Sequence, residues 1–312
     1  MSSIKRILIT DEIHPYLKEQ FVLLGFEVDV ELKISPERLL EIIEHYSVVV
    51  ITTYLKIDQK IINNAKNLKA IARVGSGLEN VDVQYAESKG IKVINSPEGN
   101  ANAVGEHTLA LLLNLLNKIN TSNQALKNNI WNREQFRGTE LDGKTVGIVG
   151  FGHTGAAFAK KLLGFDVEIL VSDILPNKHQ NQVEIIEIQK KCDIISFHVP
   201  HTSQTHQMVD ALFLKKCDKN PIILNTSRGA VVDTKAIVEA LYQNQIKGLG
   251  IDVYEDEPIF LAQIQEKELY EKLIQLDNVI ATPHIAGWTV ESKYKLVKIL
   301  FEKLIPIIQE KS

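Results

Sequence analysis

Three polar clusters in the second half of the chain each follow a β-branched apolar run. They are Asn225-Thr226-Ser227-Arg228-Gly229, Asp252-Val253-Tyr254-Glu255-Asp256-Glu257-Pro258 and Thr282-Pro283-His284-Ile285-Ala286-Gly287. Open α/β sheets place their sites beyond the carboxyl ends of strands, which is where these clusters are expected. Arginine offers a bidentate fork for a carboxylate and a charge that polarises a carbonyl. Histidine titrates near neutral pH and can exchange a proton, and a nearby carboxylate would raise its pKa and hold the ring. Together they suit hydride transfer to a ketone. Singly, each has a plainer reading: Arg228 as a surface ion-pair partner, Glu257 as loop solvation, His284 as a capped turn histidine.

A hydride needs a source, and Val146-Gly147-Ile148-Val149-Gly150-Phe151-Gly152-His153-Thr154-Gly155 supplies the signature of a dinucleotide site. In this G-x-G-x-x-G run Gly150 permits the strand-to-helix turn, Gly152 admits a pyrophosphate, and Gly155 lets the helix pack closely. The helix N-terminus then faces the phosphates. Asp173 lies 23 residues after Gly150, at the end of the next expected strand. A carboxylate there accepts from a ribose 2′-hydroxyl and repels a 2′-phosphate, which favours NAD over NADP.

To present these groups the chain must build parallel sheets. Short strands are expected at Ile7–Thr10, Val28–Val30, Val48–Thr52, Ala70–Val74 and Lys92–Ile94. After the glycine strand they are expected at Val167–Val171, Asp193–Phe197, Ile222–Asn225, Leu249–Val253 and Val279–Ala281. Amphipathic stretches separate most of them, the pattern of βαβ units. The sequence thus predicts an α/β fold of two doubly wound parallel-sheet domains. Ala101 to about Asn129 reads as a largely buried helix crossing the boundary between them, and Phe260–Leu276 as a surface helix. The stretch Val290–Gln309 has helical spacing with Leu296, Ile299, Leu300, Leu304, Ile307 and Ile308 as buried positions, and would pack back on the first domain. The expected division is residues 1–100 plus 288–312, a discontinuous substrate domain, and 101–287, the nucleotide domain.

With 312 residues, 45% of them hydrophobic, two packed cores are affordable. A net charge of −4 gives no basic footprint for nucleic acid or anionic lipid. Cys192 and Cys217 are too few for a disulfide framework or a metal cage and read as small core thiols. There is no signal-peptide layout and no apolar run of about 18 residues, so neither export nor a membrane span is expected and the location is expected to be cytoplasmic.

Taken in order, Arg73-Val74-Gly75-Ser76-Gly77-Leu78-Glu79-Asn80-Val81-Asp82, Asn95-Ser96-Pro97, the glycine run, His198-Val199-Pro200, Asn225 to Asp233, Asp252 to Pro258 and Thr282 to Gly287 resemble the motifs of the D-isomer-specific 2-hydroxyacid dehydrogenases. The resemblance spans nearly the whole chain. It implies Arg228 on the substrate carboxylate and carbonyl oxygen, His284 as acid/base, and Glu257 as its partner. For NAD it implies Gly150, Gly152, His153, Thr154 and Gly155 at the pyrophosphate, and Asp173 at the adenosine ribose. It further implies Thr226, Ser227 and Asp252 toward the nicotinamide, with Gly287 lining the pocket. Ser76 and Gly77 amides, with Asn100 close by, would hold the substrate carboxylate. It also implies a flavodoxin-like substrate domain, a Rossmann NAD-binding domain, hinges near Asn100 and Gly287–Trp288, a homodimer, and a small 2-oxo or 2-hydroxy acid as substrate, without metal.

Within the family the chain most resembles short phosphoglycerate dehydrogenases without a regulatory domain, which makes 3-phosphoglycerate/phosphohydroxypyruvate the leading expected pair and leaves feedback through such a domain unexpected. Relatives that handle this substrate often carry Arg-Ser-Arg where this chain reads Thr52-Thr53-Tyr54. A phosphate would need other cations, with Lys56, Arg133 and Arg137 as candidates. Glyoxylate, hydroxypyruvate or another small 2-oxo acid is the alternative. The carboxylate at Glu257 argues against formate, for which relatives present a glutamine. An NAD-responsive binding protein, like the corepressors that share this fold, is the reading from another class.

Overall fold

The structure, a computed structural model, describes residues 6–255, 257 and 264–309. It divides into two compact units, Met1–Asn100 with Trp288–Ser312, and Ala101–Gly287.

The first unit is built on β1 (Arg6–Ile9), β2 (Glu27–Val30), β3 (Val48–Ile51), β4 (Ala70–Arg73) and β5 (Lys92–Asn95), hydrogen-bonded in the order β2-β1-β3-β4-β5. All pairings are parallel, which is the flavodoxin-like order. Successive side chains alternate between the faces of a strand. Leu8, Val49, Ile51 and Ile71 therefore join one apolar layer, while Ile7, Ile9, Val48, Val50, Ala70 and Ala72 join the other. The helices are α1 (Tyr16–Leu23), α2 (Pro36–Ile42), α3 (Gln59–Asn64) and α4 (Val83–Ser88). Three of them start where the sequence supplies a cap: Ser35, Asp58 and Asp82 each accept an amide from the first turn.

The helix α5 (Glu98–Asn117) starts in the first unit and continues into the second, where α6 (Ile119–Lys127) follows. One helix to Asn129 was expected. Lys118 instead takes a left-handed backbone, φ 50°, which ends the ladder, and α6 buries only Ala125. After it come β6 (Thr145–Val149), α7 (His153–Leu162), β7 (Glu168–Ser172), α8 (Ile185–Lys191), β8 (Ile194–Phe197), α9 (Ala211–Lys215) and β9 (Ile222–Asn225). The unit is completed by α10 (Thr234–Tyr242), β10 (Gly248–Ile251), α11 (Ile264–Ile274) and β11 (Val279–Ala281). The expected surface helix at Phe260–Leu276 is found as α11, whose Tyr270 and Leu273 are buried; its beginning at Phe260 lies outside the described residues.

The second sheet runs β11-β10-β9-β8-β6-β7, again all parallel. Beyond β7 a single parallel bridge pairs Val171 with Gln182. It is fixed by Val183 N–H to the Val171 carbonyl at 2.8 Å and Val171 N–H to the Asn181 carbonyl at 3.1 Å. That bridge occupies the place of the third strand in a Rossmann sheet, reduced here to one residue.

The last helix, α12 (Val290–Gln309), packs on α1, β4 and β5 of the first unit. Its buried stripe is Val297, Leu300, Leu304 and Ile308, with Ser292 below it. Leu296, Ile299 and Ile307, expected inside, are only half-buried because the stripe is rotated by one residue toward Val297. Among the described residues no helix is long and apolar enough to cross a membrane.

Candidate active site

Because every strand of the second sheet points the same way, the residues following their carboxyl ends share one edge. Gly150 follows β6, Asp173 follows β7, His198 follows β8, Thr226–Arg228 follow β9, Asp252 follows β10 and Thr282–His284 follow β11.

The glycine turn can be tested atom by atom. Gly150 has φ 88°, and a Cβ there would stand 2.6 Å from the His198 carbonyl oxygen. One on Gly155 would stand 2.1 Å from the Gly150 carbonyl oxygen, whereas one on Gly152 would meet nothing within 4 Å. Gly150 and Gly155 are thus required by the fold. The space over Gly152 is left to whatever binds there, and it adjoins the N-terminal end of α7, whose first ladder bond is Ala156 N–H to the Gly152 carbonyl. His153 and Thr154 occupy that first turn. Asp173 takes the Phe151 amide at 2.6 Å on one oxygen and the Leu175 amide at 2.8 Å on the other. A carboxylate has further lone pairs, so this holds the group in place while leaving it able to accept ribose hydroxyls. The residues fit a dinucleotide.

His198 has a different task. Burial pushes its pKa down to about 3, and its Nε2 meets Ser196 Oγ at 2.8 Å, so it is a neutral histidine beneath the glycine turn.

At the other end of the edge, His284 Nδ1 lies 2.6 Å from Glu257 Oε2, and the other oxygen of Glu257 accepts the Tyr254 amide at 2.9 Å. The hydrogen bond to Glu257 raises the His284 pKa; burial opposes it, the charges of Glu257 and Asp252 add to it, and Arg228 works against it. Glu257 is lowered: burial pulls upward, but the hydrogen bonds from His284 and the Tyr254 amide, with the charges of His284 and Arg228, outweigh it. The pair is therefore a carboxylate holding a readily protonated imidazole, its Nε2 left to face a reactant. Arg228 gives one N–H to the Ser227 carbonyl at 2.7 Å. Its loop is shaped by the fully buried Asn225, which accepts the Ser227 amide and hydroxyl and donates to the Arg228 carbonyl.

Asp252, fully buried, accepts the Thr282 hydroxyl at 2.5 Å, the Ile285 amide at 2.9 Å and the Ala286 amide at 2.8 Å. Thr226 Oγ1 lies 2.9 Å from Thr108 Oγ1 of α5. Gly287 closes the unit. The structure thus brings Arg228, Glu257, His284 and Asp252 to one end of the edge and the glycine turn and Asp173 to the other.

Ser76, Gly77 and Asn100 belong to the first unit, where Ser76 Oγ donates to Asn100 Oδ1 at 3.0 Å and the Ser76 carbonyl accepts from Asn95 Nδ2 at 2.5 Å. The tripeptide Thr52-Thr53-Tyr54 follows β3 in the same unit; Thr52 donates to the Asp11 carboxylate and Tyr54 is exposed. Of the candidate phosphate cations, Arg137 forks onto Glu134, and Arg133 and Lys56 are exposed.

Residues 109–286, more than half of the chain, match the profile described as D-isomer specific 2-hydroxyacid dehydrogenase, NAD binding domain. The chain belongs to the D-isomer specific 2-hydroxyacid dehydrogenases. It is an oxidoreductase of that family, with NAD as its cofactor. It is 36% identical to a hydroxypyruvate reductase of Thermotoga maritima over 93% of this chain and 95% of that one. It is 32% identical to a D-3-phosphoglycerate dehydrogenase of Archaeoglobus fulgidus over 95% of this chain, but spans only 55% of that relative's length. Among solved structures it superposes on a D-lactate dehydrogenase of Aquifex aeolicus, complexed with NAD and lactic acid, at a TM-score of 0.85, 25% identity and 98% coverage of this chain and 96% of that one.

Proposed function

We propose that this dehydrogenase interconverts a small unphosphorylated 2-oxo acid, of the size of glyoxylate or hydroxypyruvate, and its D-2-hydroxy acid. The observation that carries the reaction type is the 2.6 Å His284–Glu257 pair within the electrostatic reach of Arg228. When bound, NAD(H) supplies or accepts the hydride at the nicotinamide ring. Arg228 holds the substrate carboxylate and polarises its carbonyl, and His284 donates the proton that turns the carbonyl oxygen into a hydroxyl; Ser76, Gly77 and Asn100 are the substrate-binding candidates that the first unit supplies. The assignment of residues 1–100 and 288–312 as the substrate domain, and of a homodimer, belongs to the same reading.

The preference for an unphosphorylated acid is supported by Thr52 and Asp11. Where phosphate-handling relatives carry two arginines, this chain sets a threonine bonded to a carboxylate, and Arg137 is engaged by Glu134. Phosphohydroxypyruvate is the second reading, favoured by the Archaeoglobus relative. Steady-state assays with glyoxylate, hydroxypyruvate, pyruvate and phosphohydroxypyruvate separate them. We expect kcat/KM for an unphosphorylated acid to exceed that for phosphohydroxypyruvate by about tenfold or more; the reverse order overturns the preference. Reduction of none of them, with NADH still bound, points to an NAD-responsive binding protein.

The cofactor choice is tested separately. Asp173→Ala removes the charge that would face a 2′-phosphate, so the ratio of kcat/KM with NADPH to that with NADH rises by roughly tenfold or more. An unchanged ratio assigns the discrimination elsewhere.

The raised His284 pKa fixes the sign of the pH dependence. Reduction requires protonated His284, so its kcat/KM is on a plateau below that pKa and falls as pH rises through it, above the ordinary imidazole value of 6.5. Oxidation shows the mirror image. Glu257→Gln removes the main cause of the raised value, and the falling limb moves to lower pH; a limb that stays put would mean that another group titrates.

A further inference from the structure

We propose that His107 is a positioning residue for His284, acting through Thr282 and Asp252. The role rests on the dehydrogenase reading above. His284 has a left-handed backbone, φ 55°, which is disfavoured for a residue bearing a Cβ. Something must hold it there. Asp252 does so from both sides, through the Thr282 hydroxyl before His284 and the Ile285 and Ala286 amides after it. Since Asp252 is fully buried, these bonds form away from competing water.

Thr282 has one hydroxyl proton, and it goes to Asp252. The other partner of that oxygen is His107 Nε2 at 2.9 Å, which must then be the donor. The His107 tautomer is thereby set with its proton on Nε2, and the same atom lies 3.7 Å from Asp252 Oδ1. Hydrogen bonds run one way, from His107 to Thr282 to Asp252, and end on the carboxylate that clamps the loop. The next residue of α5 bonds a second loop in the opposite sense. Thr108 gives its proton to the Val104 carbonyl at 2.8 Å, so its oxygen accepts from Thr226, two residues before Arg228. Consecutive residues of α5 thus anchor the loop of the acid and the loop of the arginine.

Without the His107 donor the Thr282 hydroxyl can turn away from Asp252 and one side of the clamp loosens. His284 is faced by Glu257, Asp252 and Arg228. A loosened loop lets the His284 ring move relative to Glu257, whose hydrogen bond is the main cause of the raised pKa. The role differs from plain stability in what it moves: fewer folded molecules scale a pH profile, whereas a displaced His284 shifts it.

The test compares wild type, His107→Phe and His107→Gln. Two quantities are read from about pH 5 to 9: kcat/KM for reduction of the best 2-oxo acid, and the His284 imidazole titration by NMR without substrate, assigned with His284→Asn. His107→Phe is expected to lower kcat about tenfold and to move both the falling limb and the titration down by roughly half a pH unit or more. His107→Gln, which keeps an N–H donor, is expected to restore most of both, with NADH affinity within about twofold of wild type throughout. Equal defects in both variants, or an unmoved titration, overturn the proposal. If wild type reduces no 2-oxo acid, the dehydrogenase reading fails on that result, while the NMR titration still decides whether His107 sets His284.

Discussion

His284→Ala is expected to lower kcat for reduction by roughly 10²–10⁴-fold, the range set by losing a positioned general acid, and to leave NADH affinity nearly unchanged. The proposed source of the product hydroxyl proton is the imidazole held by Glu257 at 2.6 Å, and alanine supplies none. NADH affinity should survive because the glycine turn and Asp173 follow β6 and β7, whereas His284 follows β11 at the opposite end of the sheet. The left-handed backbone of His284 calls for a control. Asparagine tolerates that conformation better than most residues, so His284→Asn keeps the loop geometry while still lacking an acid. Both variants should be equally inactive by steady-state assay. If His284→Asn retained turnover near that of wild type, the loop conformation would matter and the imidazole would not.

Most of what positions this acid was legible in the sequence because it is local. Glycine spacing, β-branched runs and the residues after each strand are short-range signals, and parallel order turns those positions into one edge. The third strand beside β7 was not legible: Gln182 sits in a polar stretch and pairs through one bridge, too little to leave a pattern. Nor was the break at Lys118, where nothing in the residue type calls for a positive φ. His107 and Thr108 were hidden for another reason. They open an apolar helical run that reads as core, and their partners, Thr282 and Thr226, lie 175 and 118 residues away in sequence. Side-chain bonds of that separation have no periodicity. A signal was nevertheless present: two polar residues in succession midway along α5, just ahead of its leucine run, must find partners as the helix is packed. The one-residue rotation of the α12 stripe is the ordinary ambiguity of a helix with apolar residues on more than one face, settled by packing against β4 and β5.

The second large effect concerns Arg228. Arg228→Lys is expected to lower kcat/KM by about 10²–10³-fold, because a point charge cannot reproduce two parallel N–H donors aimed at a carboxylate and a developing alkoxide. How the loss divides between kcat and KM reports which oxygen matters. A contact made equally to substrate and transition state raises KM alone, whereas one strengthened as the carbonyl oxygen gains charge lowers kcat. Arg228 is expected to show both, since its proposed role is to hold the carboxylate in the ground state and to polarise the carbonyl in the transition state. Arg228→Gln adds a check independent of rate. The Arg228 charge works against protonation of His284, so its removal lets Glu257 and Asp252 act unopposed and the His284 pKa rises further. The falling limb of the residual reduction activity should move to higher pH in Arg228→Gln and to lower pH in Glu257→Gln. Two neutral substitutions that shift one titration in opposite directions would place both side chains around the same imidazole. Shifts of the same sign would separate Arg228 from His284 electrostatically and leave it as a substrate anchor alone.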